Sequence, residues 1–151
     1  MPKLTDIIDD DFKEAMKQKA ESAKLVLSTL RANIKYKMLD LKAKGKELAD
    51  ADVLDVITSM IKKGRESAEQ FLKGNRDDLN ARELEQINII AKYLPKQLNE
   101  GELREIIEAE IKLQNYSKSS DMGAIMSLLK QNFAGRYDTK LASEIIRSVL
   151  K

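Results

Sequence analysis

Between Leu27 and Leu41 the apolar side chains fall at Leu27, Leu30, Ile34, Met38 and Leu41, in steps of three and four. That spacing puts them on one stripe of a helix and fits no strand, whose faces alternate with period two. The rhythm recurs along the chain. Leu4, Ile7, Ile8, Phe12, Ala15 and Met16 show it, as do Val53, Val56, Ile57, Met60, Ile61, Ala68 and Phe71. Six glycines and two prolines are the only strong breakers in 151 residues. No run shows β alternation, and the expectation is an all-α chain of about seven helices.

The breakers place the helix ends. The first helix is expected from Leu4 to about Lys19, and the second from Ser22, a candidate cap, to Lys44, with Gly45 as its stop. The third spans Asp50 to about Lys73, capped by Asp50 or Asp52. Its Gly64 costs about 1 kcal/mol against Ala in an exposed helix interior, and it permits close helix packing. The fourth begins at Asp77 or Asp78 and ends at Tyr93-Leu94-Pro95, because Pro95 disfavours helical geometry at Leu94 and blocks continuation. A boundary is expected there, between a helical subdomain 1–95 and a smaller one 96–151. Asn99 with Glu102 three residues on predicts a capping box for the fifth helix. The sixth is expected near Ser120, with Gly123 in its first turn for close backbone approach, and closes at Ala134-Gly135. Asp138 caps the seventh.

With no Cys and no His, thiolate nucleophiles, disulfides and the usual zinc ligands are excluded by inventory. No metal or cofactor is expected, since the acids at 9–11 and 77–78 read as helix-start residues. No apolar run reaches the roughly 18 residues of a membrane span. The acidic N-terminus is unlike a signal or transit peptide, so the chain is expected to be cytoplasmic, monomeric and free of membranes.

The net charge of +2 is unevenly spread: residues 13–46 hold ten Lys/Arg against three acids, and residues 112–151 seven against three. On a helix of 3.6 residues per turn Lys24, Arg31, Lys35 and Lys42 fall within about 20° of one line. They are either a solvated flank of the core face or a ladder of cations for phosphates. Lys62, Lys63 and Arg65 surround Gly64. Arg136 follows Gly135 and stands near Lys140 and the start of the last helix. It is read either as a phosphate contact or as a partner of Asp138.

Four signatures occur in order: Lys62-Lys63 through Arg65-Glu66-Ser67 with Phe71; Arg76-Asp77-Asp78-Leu79; Tyr93-Leu94-Pro95-Lys96-Gln97-Leu98; and Asp121-Met122-Gly123-Ala124-Ile125-Met126 followed by Gly135-Arg136. Together they resemble the YqeY family of the GatB/YqeY group, over nearly the whole chain. The family tends to carry a basic residue where this chain has Gly64. The resemblance implies an N-terminal helical subdomain and a C-terminal three-helix one. It also implies similarity to the tail of the B subunit of glutamine-dependent aspartyl/glutamyl-tRNA amidotransferase, an accessory part that contacts tRNA.

The implied function is an accessory tRNA-interacting module, non-catalytic by itself. Its candidate RNA contacts are Lys24, Arg31, Lys35, Lys62, Lys63, Arg65, Arg76, Arg136 and Lys140. An alternative is an adaptor docking on the amidotransferase or a tRNA synthetase. A second is an enzyme of carbon–nitrogen ligase type using glutamine as amido donor. That one would need a Ser–Ser–Lys arrangement, and Ser117-Lys118-Ser119-Ser120 lacks the Gly-rich frame and reads as a polar linker ending in a cap.

Overall fold

A computed structural model describes residues 3–150. Among them are seven α-helices and no strand: α1 (Lys3–Lys17), α2 (Glu21–Ala43), α3 (Asp50–Lys73), α4 (Asp77–Ala91), α5 (Glu100–Gln114), α6 (Met122–Asn132) and α7 (Thr139–Val149), with one 3-10 turn at Ser119–Asp121. The chain divides into two compact units, Met1–Leu94 and Pro95–Lys151.

The first unit closes α1–α4 over a core in which Ile8, Leu27, Leu30, Val53, Ile57 and Ile90 are buried. Its most extensive helix pair is α3 with α4. Gly64 is the reason they come so close: a Cβ there would stand 2.9 Å from Ile87 Cγ1. Asn80 Nδ2 donates to the Ala68 carbonyl across the same pair at 2.7 Å.

Two expected caps are reassigned. Ser22 lies inside α2, because the chain turns two residues earlier, with Lys19 in the left-handed region at φ 55 and Ala20 as N-cap. Asp50 accepts from Leu4 N of α1 at 3.1 Å, while Asp52 accepts from Ala49 N at 2.9 Å and closes the start of α3. The unit is latched at its end by Tyr93, whose hydroxyl donates to Asp11 Oδ2 at 2.5 Å, beside an ion pair from Lys92 to the same carboxylate at 3.4 Å.

The second unit packs α5, α6 and α7 around Leu103, Ile107, Ile125, Leu129, Ala142 and Ile146. The Asn99 capping box forms as the spacing predicts: Asn99 Oδ1 accepts from Glu102 N at 2.8 Å and Glu102 Oε1 from Asn99 N at 3.2 Å. Asp138 accepts from Lys140 N at 2.9 Å to cap α7. The serines before α6 do not cap it. Asp121 Oδ2 accepts from both Ser117 N and Lys118 N at 3.1 Å, and α6 begins one residue later. The expected close approach at Gly123 is absent: it is exposed, and an added Cβ would meet nothing within 4 Å.

Candidate nucleic-acid interface

The nine candidate cations separate into two classes by what they touch. The three at 31, 76 and 136 are held by their own unit. Arg31 Nε donates to Asp9 Oδ1 at 2.8 Å, and its guanidinium lies 4.5 Å from the Phe12 ring centroid, so it clamps α2 to α1. Arg76 makes two bonds of 3.2 Å to Asp78. These bonds raise the Arg76 guanidinium further and hold the Asp78 carboxyl below the usual carboxylate range.

Arg136 stands two residues before the Asp138 cap. Among the described residues it does not pair with Asp138: its Nε donates to the Lys96 carbonyl at 3.0 Å, and it lies over Phe133 at 5.7 Å. The surrounding turn explains this. Gly135 takes φ 74, which favours glycine. Gln97 Nε2 donates to the Gly135 carbonyl, and Leu98 N to the Arg136 carbonyl at 2.6 Å. Two signatures that are remote in sequence, Pro95-Lys96-Gln97-Leu98 and Gly135-Arg136, thus meet as one backbone-bonded corner.

Lys24, Lys35, Lys62, Lys63, Arg65 and Lys140 form the second class. All six are exposed, and none makes an ion pair among the described residues. Lys24 and Lys35 stand on the outward side of α2. Lys62, Lys63 and Arg65 spread over the solvent arc of α3, because Gly64 between them is the position turned to α4. Lys140 lies alone in the first turn of α7.

One of these six enters a concavity. A groove of about 440 Å3 runs between α2 and α3, lined by Lys63 together with Asn33, Tyr36, Lys37, Ser59 and Met60. Asp40 and Asp55 also line it. Asp40 is engaged by Lys44 at 3.3 Å. Tyr36 is 71 % exposed, so its ring is available as a stacking surface. Tyr36 and Lys37 lie outside the nine contacts expected from the sequence. The signal was present: Asn33, Tyr36, Lys37 and Asp40 repeat the three-and-four rhythm along the edge of the core stripe. Read alone, that edge is indistinguishable from the solvated flank of any amphipathic helix.

Among the described residues no group of three or more His, Cys, Asp or Glu is placed to hold a metal ion, and no helix is long and apolar enough to cross a membrane.

The family model described as "Yqey-like protein" matches residues 5–150. Similar proteins include "Altered inheritance of mitochondria protein 41, mitochondrial" of Lachancea thermotolerans, 39% identical over 101 residues, covering 67% of this chain and 50% of that protein. The protein of the same name from Candida glabrata is 35% identical over 85 residues, 56% of this chain and 46% of that protein. That from Saccharomyces cerevisiae is 33% identical over 88 residues, 58% of this chain and 46% of that protein. The chain spans about half the length of the curated relatives it matches.

Proposed function

Because this chain belongs to the Yqey-like protein family, we propose that it is a non-catalytic accessory module that engages tRNA, in the manner implied by its likeness to the amidotransferase tail. The observation that carries the reading is the α2–α3 groove. There Lys37 and Lys63, without an ion pair among the described residues, stand beside the exposed Tyr36 ring, the polar side chains of Asn33 and Ser59 and the carboxylates of Asp40 and Asp55, with Lys62 and Arg65 on the adjoining arc of α3. Cations that touch phosphates supply affinity without base specificity. An exposed ring adds stacking on an unpaired base, worth roughly 1–3 kcal/mol by truncation. Arg31 and Arg136 are assigned to holding the fold, and Arg76 to an exposed local pair with Asp78.

Titrating labelled tRNA at rising salt tests the reading. Binding weakens with salt, and Lys62→Ala, Lys63→Ala and Arg65→Ala together flatten the log–log slope by roughly 2–3, at about 0.7–0.9 per phosphate contact. Tyr36→Ala weakens binding without changing the slope. No binding at low salt, or a triple variant that binds as the parent does, refutes it. The expected compartment is the cytoplasm, whereas the relatives' names place those proteins in mitochondria; imaging the tagged chain in its own cell distinguishes the two.

A further inference from the structure

We propose that the outward face of α2 docks an amphipathic helix of a partner protein, one whose apolar stripe is bordered by carboxylates. This face shares Asn33 and Asp40 with the rim of the groove, but the proposal does not rest on them. It rests on a second apolar stripe on α2. The first stripe, Val26, Leu27, Leu30, Ile34 and Leu41, is buried in the core. The second consists of Leu25, Ala32 and Leu39 at seven-residue intervals, closed by Ala43, and all four are exposed. Leu25 is 49 % and Leu39 52 % exposed. At about 100° per residue this stripe points away from the core, and it runs for roughly 27 Å. A helix at the surface of a globular unit normally shows polar residues there. A lone exposed leucine needs no explanation, but apolar residues in heptad register are the pattern by which one helix receives another. Ser28, Thr29 and Ala32 are small, so a partner backbone can approach closely.

The charges select the partner. Along one border Lys24, Lys35 and Lys42 form a row, exposed and without ion pairs among the described residues, with Arg31 in the same row held by Asp9. Along the other border lie Thr29, Asn33 and Asp40, and Asp40 is taken by Lys44. Glu21, a turn before Leu25, is the nearest other carboxylate on α2. A second copy laid antiparallel would set the lysine rows face to face. Laid in parallel, it would set each row against a border with no free carboxylate. Both arrangements leave the lysines unmatched. A nucleic acid would match the lysines and the exposed Tyr36 ring beside the stripe, but not the leucines, which offer phosphates no donor and bases no ring. A helix with an apolar stripe and a row of Asp or Glu satisfies both features.

The test uses the full chain and two synthetic helical peptides of about three heptads with leucine at positions a and d. One carries glutamate at the flanking positions and the other lysine, and binding is read by fluorescence anisotropy. The glutamate peptide is expected to bind at least about tenfold more tightly than its lysine twin. Leu25→Asn with Leu39→Asn abolishes that binding at unchanged thermal unfolding. Lys35→Glu with Lys42→Glu reverses the preference toward the lysine twin, and this still decides the matter if the leucine variant unfolds. Equal binding of the two peptides overturns the proposal, as does a leucine variant that binds like the parent. So does a parent dimer in sedimentation that the leucine variant converts to monomer, which gives the face to a second copy. Loss of tRNA binding in the leucine variant gives it to RNA. If the parent binds no tRNA at all, the peptide arms are unaffected, and only the groove reading fails.

Discussion

Gly64 and Gly123 both sit inside helices, yet the same substitution is expected to act on them with opposite sign. At Gly123 the backbone is helical and the space around a new Cβ is empty, so Gly123→Ala should stabilise by up to about 1 kcal/mol. At Gly64 the same gain is opposed by a 2.9 Å clash with Ile87 Cγ1, an inner atom of a side chain fixed on a packed helix. Gly64→Ala should therefore destabilise by about 1–3 kcal/mol. Urea unfolding of the two variants checks both signs. Nothing in the sequence separates these glycines, since each interrupts an apolar helical pattern; the neighbouring helix decides. Tyr93 is a second such residue. Burial first, then the hydrogen bond to the Asp11 carboxylate and its charge, push its phenol above the ordinary tyrosine value. Because the folded state holds this proton more tightly, its contribution is complete below about pH 10 and is lost as pH rises through the folded value. Tyr93→Phe should cost about 1 kcal/mol near neutrality. It should also lessen the alkaline fall in stability of the first unit, read by denaturant titration from neutral to strongly alkaline pH.

At the scale of elements, α2 carries the most varied work. Around its circumference lie a core stripe, a groove edge, a second apolar stripe and a lysine row. The periodicity of Leu27 through Leu41 made the core stripe legible, and the cation row was legible from the same wheel. The use of each cation was not. Arg31 and Lys35 are nearly equivalent on the wheel, but Arg31 finds Asp9 and Phe12 on α1 while Lys35 faces solvent. Arg31→Ala should therefore lower the stability of the first unit by about 1 kcal/mol, a modest value because both partners are half exposed. It should leave tRNA binding at the parent level, as thermal unfolding and anisotropy would show. The turn before α6 teaches the same lesson. Serines at 117, 119 and 120 suggested a cap, but no side chain caps α6, and Asp121 instead accepts from the upstream amides of Ser117 and Lys118 to close the turn before it. A charged acceptor is the stronger partner for a backbone N–H.

At the scale of the whole molecule, each unit has its own core, one centred on Leu30 and Ile57, the other on Leu129 and Ile146. Truncating a fully buried leucine typically costs about 2–5 kcal/mol, a large share of a small unit's stability. Leu129→Ala should accordingly abolish amide protection across residues 95–151 and leave that of α1–α4 in place; Leu30→Ala should do the reverse. Hydrogen exchange on the full chain reads both. The sequence by itself determined what depends on near neighbours along the chain. That covers the helical class, the breaks at Gly45 and Pro95, the Asn99 and Asp138 caps, and the absence of Cys and His chemistry. These follow from periodicity, backbone geometry and inventory, which act over a few residues. Only the tertiary structure decided which glycine touches another helix, which cations are already bound, and that Tyr36, Lys37 and Lys63 share a groove. Those facts depend on groups brought together from distant positions, and local spacing carries no record of the helix packed alongside.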